Sequence, residues 1–313
     1  MTALDLIVRG PYAPTPVALA DLQNSHGVNA GASRMYSRFF GQDSVLMHEA
    51  SHTEMIRDTL AQMFRERPEL RATPGVVIYT KTQTHNTPFE LDWLTEILAD
   101  LDAADWEGLT LSMTNCASAL AAVHAFEQGG RPMIILSGEK AFHMAGNRLS
   151  VGLLGEAPLA ALFNADGSRA VVGSMVRHLP RYYLNPDDMA ADDRHALQSE
   201  FESGFATFLA DCVAQHQDFF DRKPVVVPYN LNVPLVQRLL RNLDLADSIV
   251  DGHSGQFGHT FCSDNFLNLT LFNVPPQTPI FLFCAGMGVT YSAVLLDAAQ
   301  PPFYPNPKGP NHD

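Results

Sequence analysis

The chain has 313 residues, 46% of them hydrophobic, and 20 Lys and Arg against 34 Asp and Glu give a formal net charge of −14. That length buries a large core, as two domains or as one large layered domain. So acidic a balance argues against a nucleic-acid binder, which needs a basic footprint, and no apolar stretch approaches the roughly 18 residues of a membrane span.

Residues Met1–Arg9 show no basic region followed by an apolar core, so no secretion signal is expected. The four cysteines, Cys116, Cys212, Cys262 and Cys284, form no CxxC pair. Neither a disulfide framework nor a zinc site is expected, and a reducing cytoplasm fits best. A long amphipathic helical segment is predicted over 44–66, where Val45, Leu46, Met55, Ile56, Leu60, Met63 and Phe64 are apolar. The β-branched strand Val76–Tyr79 follows, then a helical segment near 89–101. Next, Leu111-Ser112-Met113-Thr114-Asn115 reads as a short strand running into Cys116 and the small helix formers Ala117–Ala125. The apolar strand Met133–Leu136 and the small-residue strand Gly155–Phe163 complete this half. Asp166-Gly167 is a turn signal, and with Ala170–Arg177 it predicts a β-hairpin between the halves.

The second half restates the first. A helix is predicted over 194–217, the strand Val225–Pro228 after it, then a helix over 235–243. A strand-like turn into a helix follows at His259–Asp264, then the apolar strand Ile280–Phe283 and the Gly-led strand Gly286–Leu296. Short continuous apolar strands alternating with helices imply strands buried on both faces. Two such units imply an α/β architecture with central helices between two sheets. The expected division is 1–172, 173–297 and a proline-rich tail over 298–313, which suits neither helix nor central strand.

Cys116 carries the strongest chemical signal. It lies at a strand-to-helix junction, on the N-terminal end of a helix expected to be buried. The helix dipole and free N–H groups there favour an anion and raise a thiol's thiolate fraction, which makes the residue a candidate nucleophile. The same segment also fits a small hydrophobe in a packed helix.

Several segments in order resemble the thiolase superfamily, and within it the ketoacyl synthase III-like enzymes. Thr80–Pro88 resembles the family's strand-to-helix loop, and Asn115-Cys116-Ala117-Ser118-Ala119 the nucleophile segment. Leu154–Leu162 is similar to the "GDGAGA" strand, and Val227-Pro228-Tyr229-Asn230-Leu231-Asn232 to "PHQAN". Gly258-His259-Thr260 is similar to "GNT" and Gly286–Ala293 to "GGGFTWG". The resemblance spans residue 1 to about residue 297. It implies a homodimer of five-layered α/β/α/β/α subunits that load an acyl group onto Cys116 from an acyl carrier protein or coenzyme A thioester. It calls for no cofactor and no metal.

Two departures bear on the chemistry. Condensing members place a histidine in "PHQAN" and an asparagine in "GNT"; here those positions hold Tyr229 and His259. Tyrosine, with a reference pKa near 10, hydrogen-bonds to a carbonyl but is a poor base at neutral pH. In this fold His259 falls beside the thiol, where it can take the thiol proton and then serve an incoming hydroxyl or amine. Asp264 can orient it, giving a Cys116–His259–Asp264 set; Ser263-Asp264-Asn265 also reads as a helix N-cap. The resemblance implies an oxyanion hole from the backbone of Cys116 and of Gly286, Met287 and Gly288. Met287 narrows the acyl pocket, and Asn230, Asn232 and His85 are further substrate-binding candidates. His143 and His253 stand near loops.

The family's tryptophan–arginine pairing for the coenzyme A adenine is missing from the N-terminal segment: the tryptophans are Trp93 and Trp106. The arginine that follows "PHQAN" falls on Pro234. Carrier delivery is therefore favoured, with Arg238 and Arg241, three apart on one predicted helix, as candidates for docking; such a pair equally fits a solvated helix face. These features predict an acyltransferase of specialised metabolism that passes the acyl group to a small-molecule alcohol, amine or thiol. The rivals are a decarboxylative 3-oxoacyl synthase and a catalytically silent partner subunit.

Overall fold

The computed structural model describes residues 2–11, 14–82, 92–112, 114–140, 148–149, 151–179, 189–250, 254–286 and 290–299. Its large sheet has nine strands: β1 (Ala3–Arg9), β2 (Val76–Thr80), β3 (Glu107–Leu111), β4 (Met133–Ser137), β5 (Leu159–Asn164), β6 (Arg169–His178), β7 (Val225–Val227), β8 (Ile280–Gly286) and β9 (Thr290–Ala298). They run in the order β7-β8-β9-β6-β1-β5-β4-β2-β3.

Read outward from the centre, the two halves repeat one topology: β1-β5-β4-β2 on one side and β6-β9-β8-β7 on the other. The inner pairs β1–β5 and β6–β9 are antiparallel, and β4–β2 and β8–β7 are parallel. Beyond β7, the isolated parallel bridge Val226–Ile249 stands where β3 pairs with β2. A short antiparallel contact, Ala3 with Ala170 and Leu4 with Arg169, joins the halves.

The helices that matter are α1 (Ala30–Phe40), α2 (His52–Glu66), α3 (Trp93–Asp100), α4 (Ser118–Phe126), α5 (Ala191–Gln215), α6 (Val233–Arg241) and α7 (Asp264–Thr270). β2, β4 and β8 are buried along their whole length, as their unbroken apolar runs require. Ile56, Leu60 and Phe64 of α2 and Ile97 and Leu98 of α3 cover one outer face, packed on Val77, Ile134 and Leu162. Burying each large side chain there contributes about 1.5–3 kcal/mol. α5 and α6 cover the other outer face through residues such as Phe208, Leu209 and Leu239.

Between the halves lie α4 and α7. α4 is buried from Ser118 through Val123 and touches strands of both halves. α7 is buried from Asp264 through Asn268. Small residues let α4 lie against backbone on two sides. The result is the expected α/β fold, with helices outside, between and outside again, but the two sheets expected are joined into one of nine strands where β1 meets β6.

Three expectations about elements change. The strand read over 111–115 lies earlier, at Glu107–Leu111, and Asn115 already belongs to a turn. The segment 44–66 is not one helix: Ser44–Met47 is a strand paired with Thr15–Ala18. α2 starts only after Ser51, whose hydroxyl accepts the Glu54 N–H while the Glu54 carboxylate accepts the Ser51 N–H. That reciprocal cap fixes where the helix begins. The turn at Asp166-Gly167 exists, but β5 and β6 do not pair as a hairpin. β1 lies between them and pairs with both. The turn crosses the end of β1 so closely that a Cβ on Gly167 would sit 2.4 Å from the Ala3 carbonyl oxygen.

Candidate active site

The sharp turn Asn115–Ala117 leads into α4 and carries Cys116. Asn115 takes a left-handed conformation, φ 50°, to make it. Strand β8 passes alongside: a Cβ on Gly286 would lie 2.2 Å from the Thr114 carbonyl oxygen. Only a glycine lets the two backbones approach so closely. Two residues earlier on β8, the Cys284 thiol donates to the Cys116 carbonyl at 3.2 Å.

His259 arrives from the second half. Its backbone N–H donates to the Leu153 carbonyl, and its carbonyl accepts the Gly155 N–H. These two bonds pin the residue to the segment before β5, so its imidazole is placed by main chain on both sides. Nε2 lies 2.9 Å from Cys116 Sγ. Nδ1 lies 2.5 Å from Asp264 Oδ2, at the head of α7.

Asp264 is anchored further. Its Oδ1 accepts both the N–H and the hydroxyl of Thr260 at 2.7 Å. Its Oδ2 also accepts the Asn230 backbone N–H at 2.6 Å. An ionised carboxylate only accepts, so Nδ1 carries the proton and Nε2 faces the sulfur as acceptor, or as donor once protonated. Cys116, His259 and Asp264 are 8%, 1% and 1% exposed. Burial alone would lower the imidazole pKa. The charges of Asp264 and Cys116, with the hydrogen bonds to both, outweigh it and hold His259 well above its usual range. The constellation can take a proton from sulfur, hold it, and return it to a leaving group.

Among the described residues the other cysteines have no such partner. Burial pushes the Cys262 and Cys284 thiols well above the ordinary range and Cys212 up to about 12, which suits packing rather than reaction.

The remaining sequence candidates divide as follows. Tyr229 packs edge-on against His259, ring centres 6.3 Å apart. Burial first, then the Cys284 and Cys116 sulfurs, drive its hydroxyl pKa well up, so it stays protonated. Asn230 meets the site through its backbone, while its side-chain oxygen accepts from Asn268 at 2.8 Å. Asn232, in a left-handed conformation, precedes α6. Arg238 is paired with Glu202 of α5 at 2.6 Å, and the Arg241 Nε donates to the Gln237 carbonyl one turn back. His85, His143, His253, Met287 and Gly288 lie outside the described residues.

Sequence reasoning missed the supports of Asp264. Thr260, four residues before it, was a local hydroxyl at capping range. The Asn230 N–H is a long-range contact with no local signal.

No protein-family model and no curated protein sequence matches the chain. Solved structures do match. ChlB3, an acyltransferase, superposes with a TM-score of 0.77 at 13% identity over 96% of this chain and 98% of that one. The 3-oxoacyl-[acyl-carrier-protein] synthase III of Aquifex aeolicus VF5 gives 0.74 at 15% identity, covering 95% and 100%. AbyA1, a tetronic acid condensing enzyme, gives 0.71 at 14% identity, again covering 95% and 100%. The chain therefore has the thiolase-like fold that these proteins share.

Proposed function

We propose that the chain is an acyltransferase. Cys116 accepts an acyl group from a carrier-protein or coenzyme A thioester, and His259, oriented by Asp264, assists its transfer to an alcohol, amine or thiol. The observation that carries this reading is the buried hydrogen-bonded chain from Cys116 Sγ through His259 to Asp264. The acyltransferase ChlB3 among the structural neighbours supports it.

The chemistry runs in two halves. His259 takes the thiol proton, and the sulfur attacks the thioester carbonyl. The C–S bond to Cys116 forms, the donor's C–S bond breaks, and the proton leaves with the donor thiol. In the second half His259 takes the acceptor's proton as its heteroatom attacks, and the Cys116 sulfur departs. The backbone N–H groups of Cys116, Gly286, Met287 and Gly288 are our proposed oxyanion donors. Asn232, His85 and Met287 are proposed to line the substrate path, as is Asn230 through its backbone.

The synthase and condensing neighbours favour a second reading, decarboxylative carbon–carbon bond formation. Products decide between them. Incubation with an acyl thioester and a mixed panel of alcohols, amines and thiols should give an ester, amide or thioester. A β-ketoacyl product with carbon dioxide from a malonyl thioester would replace this reading with the second.

The boundary expected at 172/173 would cut strand β6, so we divide the chain at the Asp166-Gly167 turn before it, and each half carries one member of the Cys116–His259 pair. We also propose a homodimer across β3. That strand forms the open edge of the sheet, with Leu109 39% exposed, and an unpaired edge is a template for another strand. Sedimentation velocity on the parent chain and on Leu109→Lys tests this: the parent should sediment as a dimer and the variant as a monomer.

A further inference from the structure

Tyr229 combines three properties that structure alone does not require. It is 2% exposed, against His259 and between the rings of Phe205 and Phe283. Among the described residues its hydroxyl makes no hydrogen bond. Yet its oxygen is absent from the fully enclosed orphan atoms, which are His26 Nε2, His52 Nδ1, Glu127 Oε2, Asn230 Nδ2 and Asn268 Oδ1. The hydroxyl oxygen therefore keeps some accessible surface and is not sealed by packed protein.

A buried tyrosine normally finds a partner for its O–H, because stripping a hydroxyl of water without replacement costs about 1–3 kcal/mol. Phenylalanine would fill the same aromatic nest without that cost. The position keeps a protonated donor that bonds no described residue, next to the imidazole that contacts the Cys116 sulfur. What such a donor lacks is an oxygen that arrives with the substrate.

We propose that the Tyr229 hydroxyl donates a hydrogen bond to the carbonyl oxygen of the acyl group carried by Cys116. This rests on the acyl-transfer reading and adds a side-chain donor to it. As the Cys116 sulfur adds to the thioester carbon, the C=O π pair moves onto oxygen. The hydroxyl meets that charge without giving up its proton. The pair returns when the donor leaves as its thiol with the proton from His259, and the cycle repeats when the acceptor attacks. The same donor acts in both halves, so its loss slows both.

The test compares the parent chain with Tyr229→Phe, which removes one unbonded oxygen and leaves the ring. Circular dichroism should match the parent, and Tm should equal or exceed it, because the unpaired hydroxyl is gone. Acyl loading from a carbonyl-13C-labelled acyl-coenzyme A, followed by rapid-quench mass spectrometry, should slow by about 10²–10³-fold. Transfer to acceptor should slow comparably. The infrared band of the labelled acyl-enzyme carbonyl should move to higher wavenumber in the variant. Equal rates, or an unshifted band, overturn the proposal and leave acyl transfer standing. A parent chain that takes no acyl group overturns both.

Discussion

Asn115 and Phe261 hold the same left-handed backbone conformation, φ 50° and 58°, each one residue before a cysteine at the head of a buried helix. They occupy matching places in the two halves. Left-handed conformation costs an ordinary L-residue roughly 1–2 kcal/mol, less for asparagine. The two halves build equivalent sharp turns, but they place their thiols differently. Cys116 faces an imidazole, whereas the Cys262 thiol donates to the Asn115 carbonyl at 3.4 Å. Asn115→Gly should therefore leave stability nearly unchanged, and Asn115→Val should lower it by about 1–2 kcal/mol. Urea unfolding of the two variants measures this.

Gly286→Ala should disturb the site without touching a reacting group. The added methyl would meet the Thr114 carbonyl at 2.2 Å, so β8 or the Cys116 turn must move. Overpacking of this kind costs about 1–3 kcal/mol, and activity should fall further than stability. Thermal unfolding with a steady-state assay separates the two effects.

Asp264→Asn should keep most of the fold and lose most of the turnover. The asparagine oxygen can still accept some of the bonds from Thr260 and Asn230, but its amide no longer fixes the Nδ1–H tautomer. By analogy with other carboxylate–imidazole pairs the rate should drop by about 10⁴-fold. Asp264→Ala also strands those buried donors and should unfold more easily. Rates and urea midpoints of both variants test the distinction.

The alkaline limb of stability should belong to His259. Its folded pKa stands well above the ordinary histidine value of about 6.5, held there against burial by the Asp264 and Cys116 charges. The folded chain thus binds more protons than the unfolded one above about pH 6.5. The stabilisation is fully present below that pH and is lost as pH rises through the folded value. The urea midpoint of the parent should fall over this range more steeply than that of His259→Gln.

The acid limb should carry a signature of His52. Burial lowers its pKa to about 4. Nε2 bonds the Tyr79 hydroxyl at 2.7 Å, which itself donates to Gly138, while Nδ1 is enclosed without a partner. The unfolded chain binds more protons between about 6.5 and 4, so stability falls as pH drops through that window and levels off below it. The full shift amounts to about 3 kcal/mol. His52→Gln should flatten the loss, as acid titration of the urea midpoint can show.

Local chemistry made much of this legible. Cys116 beside a run of small residues announced a buried helix head, and His259 with Asp264 five residues on announced a candidate pair. The apolar runs of β2, β4 and β8 marked strands covered on both faces. The Ser51-x-x-Glu54 cap was also in the sequence, yet Val45 and Leu46 fit the helical period and masked the strand at 44–47. What local pattern cannot carry is partner choice among strands. Asp166-Gly167 looks the same whether its flanking strands pair or admit β1 between them. Likewise nothing near Asn230 shows that its N–H meets a carboxylate 34 residues away.

The central claim is that Cys116 carries the acyl group with His259 as its base. Intact-protein mass spectrometry after exposure to a panel of acyl-coenzyme A and acyl-carrier thioesters tests it most directly, with Cys116→Ala and His259→Ala alongside. The account predicts a single acyl adduct on the parent, none on Cys116→Ala, and on His259→Ala an adduct that forms at least about 10²-fold more slowly and fails to pass to acceptor. An adduct that persists in Cys116→Ala, or no adduct with any donor in folded parent protein, would contradict it.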